Sequence, residues 1–432
     1  MTNESYTPRV LVTTVSSWSS KTGDDSMSAL MQQYGRENVA SLYIRADKSD
    51  SLSAGRYFHI FEGRVLKSVL RPSIPTGEEF RPENVSISDI SSDESAEADR
   101  YRKFKKHRWG IFLFAREFVW KMGHWKSKEL DAFLDDYKPE VLIFPIESYI
   151  HFNTLNEYII KHCNPKVIGF LWDDNFTYKQ SRNLSHQIHR VWLRRSVRRM
   201  VSKCQTVFAL SPKMKEECDK EFGIESQLLT KPIFCQGEFK PYEVGSPIKM
   251  LYTGNLFVGR SKTMMIIADA LREVNKDGVK VTLDIYTKSE LPDKDRARIE
   301  IEGVCRLHKP IPQSEVFKLQ EEADVLLFAE SLEREKNQGA RLSFSTKITD
   351  YFRAGKCIWG VGSPTLGPID YLQRMDAAIM GTDYETILSS LNTIVSNPQL
   401  VNEYAEKGFA CGQKYHNGDD IHAKLYSTIR GL

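Results

Sequence analysis

Apolar, largely β-branched runs of strand length recur through the first half of the chain, at 9–15 (RVLVTTV), 39–44, 140–146 (EVLIFPI), 166–171 (KVIGFL) and 206–210 (TVFAL). They are nearly continuous rather than alternating, the pattern of parallel strands covered on both faces. Helical periodicity fills the intervals at 25–34, 128–137, 149–163, 184–202 and 212–222, with Asp24 and Ser211 as N-caps and Pro212 at a first helical position. The segment 231–247 (KPIFCQGEFKPYEVGSP) has no period and reads as a linker. A second alternation follows, with strands at 248–253, 280–286, 324–328 and 357–361 and helices at 263–275, 314–322, 346–354 and 384–396. The pattern predicts an α/β protein of two Rossmann-like, doubly wound domains facing across a cleft. The expected divisions are 1–235, 236–410 and a C-terminal helical segment, 411–432, packing back on the first domain. A ligand is expected where strand carboxyl ends gather loops and helix N-termini.

Composition narrows the class. The 432 residues are 41% hydrophobic and 27% charged, which is ordinary for a globular chain with a sizeable core. No apolar run approaches the ~18 residues that span a bilayer, and residues 1–9 are polar, without the apolar stretch of a secretory signal. Seven Cys without a CxxC pair argue against a disulfide or zinc framework and for a reducing, cytoplasmic compartment. The net charge of +3 hides an asymmetry: residues 1–240 hold 36 Lys+Arg against 31 Asp+Glu, whereas 241–432 hold 24 against 26. The excess lies in 101–128, with nine basic residues and one Glu among Trp109, Phe112, Phe114, Phe118, Trp120 and Trp125, and in 175–215, with ten basic residues and no acid.

Three stretches of the second half resemble the donor domain of GT-B glycosyltransferases. Residues 251–271 (LYTGNLFVGRSKTMMIIADAL) resemble its opening strand, Gly loop and helix. Residues 304–330 (VCRLHKPIPQSEVFKLQEEADVLLFAE) resemble the loop, helix and strand that follow. Residues 343–360 (SFSTKITDYFRAGKCIWG) resemble the helix carrying the signature of the retaining family 4 enzymes. In the first half, 206–223 looks like the strand and helix that end the acceptor domain. The resemblance implies transfer of a sugar from a nucleotide sugar, a UDP- or GDP-sugar, to a glycan or polyprenol-linked acceptor in surface polysaccharide or glycoconjugate synthesis. It implies a retained anomeric configuration and no metal or other cofactor.

That chemistry asks for positive charge where the diphosphate leaves and for a group that orients the acceptor hydroxyl. Gly254 and Asn255 bring backbone close to phosphate. Arg260 and Lys262 precede a helix N-terminus, which itself favours anions; by resemblance Lys262 contacts the diphosphate, with Arg260 close behind. Ser345, Thr346 and Lys347 open the signature helix and suit phosphate, while by resemblance Asp350, one turn on, holds the ribose hydroxyls. One carboxylate of the family pattern falls on Leu342, and Glu330, Glu333 and Glu335 stand upstream as substitutes. His308, Pro310 and Ile311 occupy the loop expected to hold the base. On the acceptor side Asp173 and Asp174, after the strand 166–171, are candidates to orient or deprotonate the hydroxyl, or equally to form an Asx turn. The loop 16–25 is expected to open onto the same cleft.

The basic-aromatic stretches, 101–128 and 182–203 in particular, admit three readings. They suit an anionic membrane surface at the inner face of the plasma membrane, single-stranded nucleic acid, or a solvated face in which Val191, Trp192 and Val197 are buried. The slightly acidic second half argues against a nucleic-acid binder. A non-catalytic protein that binds a sugar nucleotide remains the alternative to an enzyme, and an epimerase would need an acid–base set that the sequence does not display.

Overall fold

The computed structural model describes residues 6–18, 26–45, 49, 51–84, 110–177, 184–235, 237–333 and 338–432. The chain forms two compact units: Met1–Leu210, Lys215–Leu229 and Ile421–Leu432 make one, and Ser211–Met214 with Thr230–Asp420 make the other.

Among the described residues the first unit is built on eight strands: β1 (Val10–Thr14), β2 (Val39–Tyr43), β3 (Arg56–Ile60), β4 (Gly77–Phe80), β5 (Val141–Pro145), β6 (Lys166–Leu171), β7 (Thr206–Ala209) and β8 (Gln227–Leu228). Their order is β4-β3-β2-β1-β5-β6-β7-β8. Every pairing is parallel except β3 with β4. The strand order reverses between β1 and β5, so the gap above their carboxyl ends is the switch point where doubly wound sheets take ligands. The helix Gly418–Gly431 sends Ile421, Leu425 and Ile429 into this unit's core, beside Val10, Val12, Ile143 and Phe170. Its Tyr426 hydroxyl donates to the Leu30 carbonyl at 3.1 Å and accepts from the Gln33 N–H at 3.1 Å.

The second unit is a six-stranded parallel sheet of β9 (Ile248–Thr253), β10 (Val281–Tyr286), β11 (Cys305–His308), β12 (Val325–Ala329), β13 (Cys357–Val361) and β14 (Ile379–Gly381). The order β11-β10-β9-β12-β13-β14 puts its switch point between β9 and β12. The central strands β12 and β13 are buried at every position, as their uninterrupted apolar sequences require. Burial of each large apolar side chain there stabilises the fold by roughly 1.5–3 kcal/mol. Trp359 is fully buried and satisfies its indole N–H on the Ser390 hydroxyl at 2.9 Å.

Ser211 accepts the Met214 N–H at 3.3 Å ahead of the helix Pro212–Phe222, as its N-cap pattern predicts. Asp24 and Asp25 lie outside the described residues. The helix after β9 begins at Arg260, three residues earlier than its apolar period suggests, because Gly259 at φ 86° turns the chain into it. All seven cysteines are free.

Candidate functional site

At the β9/β12 switch point the second unit holds a cavity of about 230 Å³, lined by Tyr252, Asn255, Arg260, Phe328, Ala329, Glu330, Ser345, Lys347 and Tyr351. Most of the lining arrives from strand ends and helix starts. Asn255 follows β9, Glu330 follows β12, Arg260 opens the helix Arg260–Val274, and Lys347 lies in the first turn of Thr346–Ala354. The volume falls below the ~300–1,000 Å³ of pockets that enclose a whole drug-sized ligand. It suits a small charged portion of one.

Two cations face this cavity. The Lys347 ammonium sits 5.4 Å from the centroid of the Tyr252 ring, a cation–π placement. It occupies the space that a Cβ on residue 254 would need, and Gly254 lies at φ 149°. The glycine therefore admits the ammonium, whereas the sequence suggested that it admits phosphate directly. The Arg260 guanidinium is bidentate with Glu330, Nε to Oε2 at 3.0 Å and Nη2 to Oε1 at 2.6 Å. Burial opposes its charge, but the Glu330 carboxylate outweighs burial and holds the Arg260 pKa above its ordinary value. Ser345 stands at the N-cap of Thr346–Ala354 and makes no capping hydrogen bond with its side chain, while its carbonyl accepts the Ile348 N–H at 3.0 Å. Tyr351, fully buried beneath, anchors this helix to the sheet through the Leu327 carbonyl at 3.3 Å.

Other residues singled out in the sequence are placed differently. Lys262 pairs with Glu333 at 2.8 Å on the exposed side of its helix and does not line the cavity; a start at Arg260 puts residues 260 and 262 about 200° apart. Asp350 shares a helix with Lys347 but faces Lys231 at 3.5 Å, nearly buried, and lies outside the cavity lining. Leu342, where the family pattern has a carboxylate, is a fully buried core residue, and Glu330 supplies the carboxylate of this cavity. Glu335 lies outside the described residues. His308 stacks on Tyr286, centroids 4.6 Å apart, with its Nε2 2.6 Å from Asp284 Oδ1. This pair caps the neighbouring strands β10 and β11, whose register joins Tyr286 to His308. Pro310 is exposed and Ile311 half-buried, and neither lines the cavity.

In the first unit Asp174 is buried and committed to its own turn. It accepts the Thr177 N–H at 3.0 Å and the Thr177 hydroxyl, while Arg190 Nη2 donates to its backbone carbonyl at 3.3 Å. That geometry is the Asx-turn alternative. Asp173 is exposed. Of the loop 16–25, only Ser16, Ser17 and Trp18 fall within the described residues. Among the described residues no group of three or more His, Cys, Asp or Glu is placed to hold a metal ion.

No family model matches the chain and no curated protein matches it in sequence. Solved structures do match in three dimensions. HepE of Anabaena, crystallised with UDP, aligns with a TM-score of 0.62 at 9% identity, covering 98% of this chain and 100% of that one. Sucrose-phosphate synthase of Thermosynechococcus elongatus aligns at 0.60 and 10% identity, covering 98% of each chain. The UDP-forming α,α-trehalose-phosphate synthase of Burkholderia vietnamiensis aligns at 0.57 and 8% identity, covering 98% of this chain and 100% of that one. The fold is GT-B.

Proposed function

We propose that the chain is a glycosyltransferase that draws on a UDP-sugar and delivers the sugar to a hydroxyl of a glycan or lipid-linked acceptor. The observation that carries this reading is the convergence of Arg260, Lys347 and the start of the helix Thr346–Ala354 on one small cavity at the switch point of the second unit. Two cations and oriented N–H groups are what a departing diphosphate requires as negative charge builds on it. Cations in these positions supply that charge stabilisation without a metal ion. The Tyr286–His308 ring pair, at the ends of β10 and β11, offers the base a stacking surface. The neighbour with UDP bound favours uridine over guanosine as that base. The resemblance implies retention, but Leu342 removes one carboxylate on which that implication stands.

The test is release of free UDP from a panel of UDP-sugars. Wild-type protein is expected to release it, and Lys347→Ala with Arg260→Ala to lose at least 100-fold, since one such electrostatic contact is commonly worth about 10²–10³ in rate. Lys262→Ala is expected to stay within threefold. Release that survives the double variant would place the donor elsewhere.

A second reading concerns location, and one surface favours it. The helix Leu184–Val201 exposes Leu184, Ile188, Val191 and Trp192, with Arg195, Arg198 and Arg199 also exposed. Phe118 and Met122 on the adjoining helix Gly110–Met122 extend the apolar surface, and Phe114 meets Trp192 edge-on at 5.5 Å. Exposed apolar side chains ringed by arginine suit an anionic lipid surface. Residues 101–109 and 182–183 lie outside the described residues, and among those described no helix is long and apolar enough to cross a membrane.

A further inference from the structure

A buried carboxylate stands in the same small cavity as the two cations. Glu330 directly follows β12, lines the cavity and is 3% exposed. Three contacts fix it there. Its N–H donates to the Val361 carbonyl at 2.8 Å, which prolongs the β12–β13 ladder by one residue. Gly362 packs against its stem so closely that a Cβ on residue 362 would stand 2.9 Å from the Glu330 Cβ. The bidentate pair with Arg260, at 3.0 and 2.6 Å, then sets the plane of the carboxylate.

A site for diphosphate alone has no use for such a group. A carboxylate repels a phosphate placed beside it, and Glu330 also competes with phosphate for Arg260. The cavity complements a ligand of two parts, one that brings negative charge to Lys347 and Arg260 and one that brings a hydrogen-bond donor to Glu330. An ionised carboxylate only accepts, and each of its oxygens has two lone pairs, so one oxygen can hold an arginine N–H and a ligand hydroxyl together. Sugar hydroxyls are such donors, and a sugar diphosphate carries them a few bonds from its anion.

We propose that Glu330 selects the sugar of the donor: it holds hydroxyl groups of a neutral sugar and rejects a sugar that bears a carboxylate of its own, a uronic acid. This deepens the UDP-sugar reading above and rests on it. In a cavity of about 230 Å³ a carboxylate on the sugar lies inside the ~8 Å over which salt screens charge, and enclosing protein screens it less than water does. A uronate there would leave two carboxylates sharing one guanidinium. Selection of this kind works by setting an uncompensated charge against the wrong ligand. A Glu330 that served only to position Arg260 would act differently, because its loss would weaken UDP and every UDP-sugar alike.

The experiment is calorimetric binding to wild type, Glu330→Gln and Glu330→Asp. The ligands are UDP, three neutral donors (UDP-glucose, UDP-galactose and UDP-N-acetylglucosamine) and two uronates (UDP-glucuronate and UDP-galacturonate). Wild type is expected to bind its best neutral donor about tenfold or more tighter than either uronate, the discrimination that like charges a few ångströms apart readily supply. Glu330→Gln, nearly isosteric, is expected to bind UDP at least as tightly as wild type, since Arg260 loses a competitor, and to narrow the gap to about threefold or less. Glu330→Asp keeps the charge and should keep most of the gap. The proposal is overturned if wild type binds a uronate as tightly as its best neutral donor, or binds UDP but none of the neutral donors. It is equally overturned if Glu330→Gln keeps the wild-type gap, or weakens UDP and every UDP-sugar in parallel. Should that variant fail to fold, the wild-type gap and its survival in Glu330→Asp decide. Failure of wild type to bind UDP would instead bring down the donor reading beneath the proposal.

Discussion

His416 is fully buried with both ring nitrogens engaged, Nδ1 with the Thr230 hydroxyl at 2.7 Å and Nε2 with the Tyr371 hydroxyl at 2.6 Å. It also stacks near Phe344, centroids 5.5 Å apart, just ahead of the helix that carries Lys347. Burial depresses its pKa to about 3. The folded protein therefore refuses a proton that the unfolded chain accepts below its ordinary value of about 6.5. Stability is unaffected by this group above that value and is lost as pH falls from about 6.5 toward 3, by up to about 1.4 kcal/mol per unit. Thermal unfolding of wild type and His416→Gln across this range is expected to show a weaker acid dependence in the variant; parallel curves would contradict the assignment. At this scale the sequence is a partial guide. It marks Lys347 and Arg260 because a motif surrounds them. It also ranks Lys262 ahead of Arg260, since a spacing argument does not say which turn of the helix faces inward.

Among elements, the central strands were legible because both faces are covered and nearly every position is apolar. Strands β3, β4, β8, β11 and β14 were not. They are short or lie toward sheet edges, and β4 (GEEF) is polar because one face and one edge meet solvent. The helix Leu184–Val201 departs from one of the three readings its sequence allows. Apolar identity suggests burial of Val191, Trp192 and Val197, yet the buried stripe is His189, Arg190, Leu193, Ser196, Val197, Met200 and Val201, and Trp192 is 51% exposed. Arg190 goes inward because its guanidinium reaches the Asp174 carbonyl, whereas Trp192 falls on the opposite face. Arg195, Arg198 and Arg199 share this exposed helix with Leu184 and Trp192, so the element makes its own prediction. Flotation with vesicles of phosphatidylglycerol and phosphatidylcholine at low salt should carry the protein. Leu184→Ser with Trp192→Ser should reduce the floated fraction severalfold without loss of UDP release. A wild-type protein that stays with the pellet would contradict the membrane reading.

For the molecule as a whole, two sheets were readable from alternating strand and helix patterns. The division at Thr230 depends on tertiary packing. Net charge is a poor guide to the ligand. The second half is slightly acidic, yet its cavity presents Arg260 and Lys347, and a local pair of cations beside a helix N-terminus decides what binds there. The most direct measurement is a crystal structure of the protein soaked with UDP. The diphosphate is expected between Lys347, Arg260 and the first-turn N–H groups of Thr346–Ala354, with the Arg260–Glu330 pair loosened or shared. A diphosphate bound at any other place on the chain, with this cavity left as it is, would contradict the account.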